Sequence, residues 1–204
     1  MPRGYKASNP ALSKNNQFAF QWLTSSRFSS PGRDDPRNGC IVIGEDTKPV
    51  FFEFETQYLS PTSARTTVSA ISSNRSPVAV LDWPNGGLGV ATIGDREIPM
   101  AHLVQQGSST SARRFPSADG RQYEWRKCHT DPRSYEASPP RYFKYHPLHL
   151  FSGPNTSIAK FQKLSQATPI GPSHGTLQYS FSHDLLLLEA LITLNLNRWL
   201  DWTG

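Results

Sequence analysis

The chain has 204 residues, 36% of them hydrophobic and 18% charged, with 17 Pro and 14 Gly. That balance fits one domain with a real core and many turns. The formal net charge of +5 suits acidic partners such as membranes or nucleic acid, and is also small enough to be ordinary surface charge.

The two cysteines, Cys40 and Cys128, fit no zinc-binding spacing, which excludes a cysteine-based metal module. They read most simply as two reduced core thiols, with a single disulfide as the alternative. Residues 1–10 hold no apolar stretch, so a secretory signal is not expected and a cytoplasmic or nuclear location is.

Residues 1–15 are polar and proline-containing and read as a loose arm. Residues 17–22 then alternate polar and aromatic, the period of a strand. Residues 25–39 are rich in Ser, Pro, Gly, Arg and Asp and read as a loop. Residues 40–43 form a short apolar strand, and 50–56 another. In the second, Phe52 and Phe54 take one face and Glu53 and Glu55 the other.

Further strands are expected at 65–72, 78–83, 88–93, 96–104, 113–115 and 122–126. Turns fall at Pro84 to Gly87 and at Gly94-Asp95. Asp119-Gly120 marks a hairpin, because glycine accepts the positive φ such turns require. Residues 130–154 hold five prolines and several aromatics, and read as a long ordered loop. Strands at 157–164 and 176–181 follow.

The last segment, residues 183–202, is the one long apolar run without Gly or Pro. Ser182 suits an N-cap, and Asp184 complements the helix dipole in the first turn. Glu189, Thr193 and Asn197 recur every fourth residue and share one thin polar stripe. A helix apolar on its other faces is buried in protein or in a bilayer. Glu189 in mid-bilayer would cost several kcal/mol, on the order of 3. A core helix is therefore preferred over a tail anchor or a helix docked in a partner's groove. Ten to twelve short strands before such a helix are expected to form a closed or strongly curved antiparallel β-barrel around it. The whole of residues 16–204 is expected to be one domain.

The string Arg114-Phe115, then Asp119-Gly120-Arg121-Gln122-Tyr123-Glu124-Trp125, is similar to the R-x-F and D-G-R-x-Y-x-W core of a fungal family of uncharacterised proteins, domain of unknown function 6593. The strand Val78 to Trp83, the strand Ile158-Ala159-Lys160-Phe161 and the closing helix follow in the same order. The family resembles the LURP-one, tubby and phospholipid-scramblase superfamily, which implies a twelve-stranded barrel around a hydrophobic helix. Residues 130–155 are longer than that pattern expects, and Asn195 and Asn197 depart from it in the helix. The family has no assigned activity, so no functional residue carries over.

No catalytic signature stands out. His146 and His149 form H-x-x-H, but Pro147 lies between them and no second pair completes a zinc set. Ser173-His174 and Ser182-His183 are sequence neighbours, which rarely form a nucleophile–base contact. Gly86-Gly87-x-Gly89 precedes neither a helix nor a Lys-Ser/Thr step, so it is a turn and not a phosphate loop. No metal and no cofactor is expected.

Residues 113–163 carry ten Lys/Arg against four acids. Strand alternation places Arg126 beside Glu124, away from Trp125. The first functional expectation is a non-enzymatic binding protein, peripheral to acidic phospholipid. It would bind through Arg113, Arg114, Arg121, Arg126, Lys127, Lys160 and Lys163, at about 1 kcal/mol per well-placed cation. The tubby-like resemblance implies the same ligand class. The alternatives are nucleic acid stacking on Tyr142, Phe143 and Tyr145, a hydrolase pocket at the barrel mouth, and a structural or protein-interaction barrel.

A chain truncated after Phe181 is expected to lose cooperative thermal unfolding measured by circular dichroism. A soluble truncated protein with an unchanged melting transition would remove the helix from the core.

Overall fold

A computed structural model describes residues 16–22, 36–37, 40–44, 52–70, 76–128, 147–162, 166–168 and 171–203. The expected N-terminal arm lies outside them, as do Lys163 and residues 130–146 of the Pro/Tyr-rich stretch.

The described residues form fourteen strands and one long C-terminal helix. The first half runs β1 (Asn16–Trp22), β2 (Cys40–Gly44), β3 (Phe52–Tyr58), β4 (Ala64–Ala70), β5 (Ser76–Trp83), β6 (Val90–Ile93) and β7 (Arg96–Pro99). A 3-10 helix, Met100–Val104, separates this half from the second. There follow β8 (Gln105–Gln106), β9 (Arg113–Pro116), β10 (Gln122–Lys127), β11 (Leu148–Phe151), β12 (Ser157–Gln162), β13 (Gln166–Thr168) and β14 (Gly171–Tyr179). Helix α1 spans Asp184–Thr203.

Every pairing is antiparallel, in the order β7-β6-β5-β4-β3-β2-β1-β14-β12-β11-β10-β9-β8, with β13 on β14. The fold is two antiparallel halves joined where β1 pairs β14. The expected barrel is not found. The edge strands β7 and β8 do not pair with each other, and the strands form no closed or strongly curled barrel. The local chemistry accounts for this. β7 ends on Pro99, which has no ladder N–H to donate. The chain then tightens into the 3-10 helix, and the buried Met100, Leu103 and Val104 fill the space where residues 96–104 were expected to continue as strand.

Other expectations are corrected in the same way. β8 lies within residues 105–111, read as a polar loop. β11 lies within residues read as a loop because Pro147 precedes its four residues and Gly153-Pro154 follows soon after. Leu148 and Leu150 nevertheless alternate inward with His149 and Phe151. At the 119–120 hairpin the reading holds, with Gly120 at φ 79° and its N–H donating to the Ser117 carbonyl at 3.0 Å.

Each residue of α1 from Leu186 to Asn197 is buried. The cap differs from the one read in the sequence. His183, not Ser182, serves it, its Nδ1 accepting from the Leu186 N–H at 3.2 Å. The helix lies among large side chains from both halves, including Phe54, Leu81, Trp83, Phe115, Trp125 and Leu150, each 2% exposed or less. Fully burying one such side chain contributes about 1.5–3 kcal/mol. Buried indoles keep their hydrogen bonds: Trp125 Nε1 donates to Thr193 Oγ1 at 3.0 Å, and Trp83 Nε1 to Thr66 Oγ1 at 2.9 Å. Among the described residues, no helix is long and apolar enough to cross a membrane.

Candidate functional site

The register fixes which side chains share an end of the molecule. Glu189, early in α1, meets the β9–β10 turn and Arg96 at the start of β7. Asp201, near the end of α1, pairs with Lys127 at the end of β10. α1 therefore runs in the same direction as β10. Followed across the ladder, Lys127 lies opposite Leu148, Leu148 opposite Phe161, and Phe161 opposite Leu177. On the far half, Tyr58 lies opposite Ala64 and Ala64 opposite Trp83, whose ring stands 5.0 Å from that of Trp199. The β3–β4 and β5–β6 turns thus lie at the end where α1 finishes.

The end where α1 begins is dominated by a carboxylate that is 1% exposed. Glu189 Oε1 receives Arg96 Nη1 at 2.8 Å and the Ala118 N–H at 3.0 Å, and Oε2 receives the Ser117 hydroxyl. Beside it, Tyr123 donates its hydroxyl to Asp119 Oδ2 at 2.6 Å, and the Arg121 N–H donates to Asp119 Oδ1 at 2.9 Å. Burial alone raises the Asp119 carboxyl. The bonds from Tyr123, Arg121 and Ser117, with the Arg121 charge, outweigh it and hold the carboxyl below its ordinary range. Burial and the Asp119 bond push the Tyr123 hydroxyl above its ordinary range. Glu124 behaves like Asp119. Burial raises it, but Ser108 and Arg126 hold it lower.

The other end carries apolar surface. Tyr58 is 59% exposed, Leu59 56% and Trp202 36%. An open groove of about 380 Å³ beside Leu59 is lined by Ser63, Asp82, Trp83, Pro84 and Glu97. Its Asp82 is already engaged by Arg65 Nε at 2.6 Å.

The cations singled out in the sequence divide among several places. Arg126 faces outward beside Glu124, as expected. Its Nε donates to Glu124 at 2.6 Å, one Nη donates to the Pro154 carbonyl at 2.6 Å, and its guanidinium lies 4.2 Å from the Phe151 ring centre. His149 and then Lys160 lie opposite it in the register, so Arg126, His149 and Lys160 form a row across β10, β11 and β12 on the outer face. Arg114 is exposed on β9, opposite Glu124. Arg113 and Lys127 alternate onto the inner side at the strand ends. Arg113 donates to the Thr110 and Ala112 carbonyls, and Lys127 pairs with Asp201 at 2.8 Å. Arg121 stands apart, in the turn at the Glu189 end. Lys163 lies outside the described residues.

Sequence reading missed Tyr58 and Leu59 as surface residues. Tyr58 continues the inward alternation of Phe52, Phe54 and Thr56, and only the end of the ladder at Ala64 shows that it emerges. Glu189 was visible as a polar interruption, but its partners lie 71 to 93 residues away.

A family model described as a family of unknown function (DUF6593) matches residues 34–192. No curated protein and no solved structure matches the chain.

Replacing Glu189 with Ala leaves the Ala118 N–H and the Ser117 hydroxyl without their acceptor, while the part-exposed Arg96 can turn to water, and is expected to cost about 1–3 kcal/mol, read from urea denaturation. A loss under 1 kcal/mol, on the order of an exposed pair, would mean the carboxylate is not the tie described. Asp119 and Glu124 have folded values below their unfolded ones. Their contribution is present above about pH 4 and is lost as pH falls through the folded values. The melting temperature should therefore drop on acidification below about pH 4. Asp119→Asn should flatten that drop, and identical pH profiles for the two proteins would contradict it.

Proposed function

We propose, for a chain that belongs to the DUF6593 family of unknown function, that it binds acidic phospholipid surfaces peripherally through the end where α1 finishes. One observation carries this reading. The strand register brings the exposed Tyr58, Leu59 and Trp202 to the end where Lys127 lies, with Arg126 one residue back from it and Arg113, Arg114 and Lys160 farther along the neighbouring strands. Aromatic and leucine side chains suit the headgroup boundary, and cations nearby gain from the negative surface potential.

The reading is narrower than the seven-cation surface expected from the sequence. Arg121 lies at the opposite end. The ionic ties of Arg126 and Lys127 to Glu124 and Asp201 reduce what those two cations add. Arg114, exposed on β9, is the cation whose loss should be felt most cleanly. Superfamily resemblance to tubby-like barrels adds no support, because the described strands form no barrel.

The test is co-sedimentation with phosphatidylserine-containing vesicles at low salt. Binding should weaken as salt rises and fall by about fivefold in Arg114→Ala. Leu59→Ser should weaken it without changing the salt dependence. Equal recovery with and without acidic lipid would end the proposal.

A further inference from the structure

Arg37 is 8% exposed, and its guanidinium carbon lies over three aromatic rings. The ring centres are 5.1 Å away for Trp83, 5.9 Å for Tyr58 and 5.9 Å for Trp199. Each lies within about 6 Å, the range in which a ring face attracts a cation. The three walls come from β3, β5 and α1, so the enclosure exists only in the folded chain. The backbone that delivers Arg37 is anchored independently of its side chain. Thr56 Oγ1 donates to the Arg37 carbonyl at 2.7 Å, and Asn195 Nδ2 donates to the Pro36 carbonyl at 2.7 Å.

One feature distinguishes this enclosure from a sealed core. Tyr58, one of the three walls, is 59% exposed, whereas Trp83 and Trp199 are 1% and 5% exposed. The enclosure therefore meets solvent at its Tyr58 wall.

We infer that Tyr58, Trp83 and Trp199 form a cation-accepting aromatic cage, filled here by the chain's own Arg37, that takes a quaternary ammonium such as that of choline when Arg37 gives way. A quaternary ammonium brings no N–H donors, so it asks nothing of the walls except ring faces. Arg37 acts as an internal competitor. The apparent affinity of the intact protein is lowered by the fraction of molecules in which the cage is occupied. This inference does not depend on acidic lipid, since choline headgroups carry no net negative charge.

The experiment compares the full chain with Arg37→Gln and Arg37→Ala by tryptophan fluorescence and thermal melting. The probes are tetramethylammonium, free phosphocholine and phosphatidylcholine vesicles, with sodium chloride as the ionic control. The expected result is saturable binding of tetramethylammonium and phosphocholine to the variants, at least about tenfold tighter than to the intact chain. Added Trp83→Leu should abolish it. Response to phosphatidylcholine vesicles as well as free phosphocholine assigns the cation to a lipid headgroup, and response to free phosphocholine alone assigns it to a soluble ligand. If the variants are unfolded, restored cooperative melting with tetramethylammonium supports the cage. Folded variants that respond no more than in sodium chloride, or unfolded variants that stay unfolded, overturn it.

Discussion

The buried carboxylate of Glu189 is the constraint on which the arrangement of the strands around α1 depends. An ionised group that is 1% exposed persists only if donors replace the water it has lost. Here those donors come from elements remote in sequence: Arg96 on β7, and Ser117 and Ala118 after β9. The edge strands share no ladder hydrogen bonds with each other. One carboxylate nevertheless holds β7 and the β9–β10 turn to the same turn of helix. The 3-10 helix between the edges supplies Met100, Leu103 and Val104 as apolar filling. Polar tie and apolar filling together do what a continuous ladder would otherwise have done.

Lower down the same stripe, polar residues are buried with partners in place. Thr193 accepts from Trp125 and returns its hydroxyl proton to the Glu189 carbonyl at 2.8 Å, and Asn197 Nδ2 donates to the Thr193 carbonyl at 2.7 Å. A helix apolar all round would be free to rotate among equivalent packings. Fixed hydrogen-bond partners for Glu189 and Thr193 select one rotation, because any other leaves a buried polar group unsatisfied. That choice also sets which residues emerge at the far end of α1. There Trp199 stands against Trp83, Asp201 reaches Lys127, and Trp202 is partly in solvent.

The two ends therefore have opposite character. At one, carboxylates, hydroxyls and an arginine are consumed by each other. At the other, Tyr58 at the last rung of the β3–β4 ladder and Leu59 just beyond it are exposed, while cations occupy neighbouring strand ends and the outer face. Strand alternation was enough to read Trp125 as inward and Arg126 as outward, and the Leu-rich run was enough to read α1. Alternation does not say where a ladder stops, so the strand read at 50–56 left Tyr58 and Leu59 unassigned. Charge counting does not say which cations already have partners, so Arg113 and Lys127 looked equivalent to Arg114.

By itself, the sequence determined the β-rich class, the place of most strands, the terminal helix and its burial. Those follow from local period and apolar content, which act over a few residues. Only the tertiary structure decided that the strand order stays open, that Glu189 has partners 71 to 93 residues away, and that Arg37 lies among Tyr58, Trp83 and Trp199. The physical reason is the same in each case. A strand edge, a buried charge and an aromatic enclosure are completed by groups distant in sequence, and no local pattern reports which of them will meet.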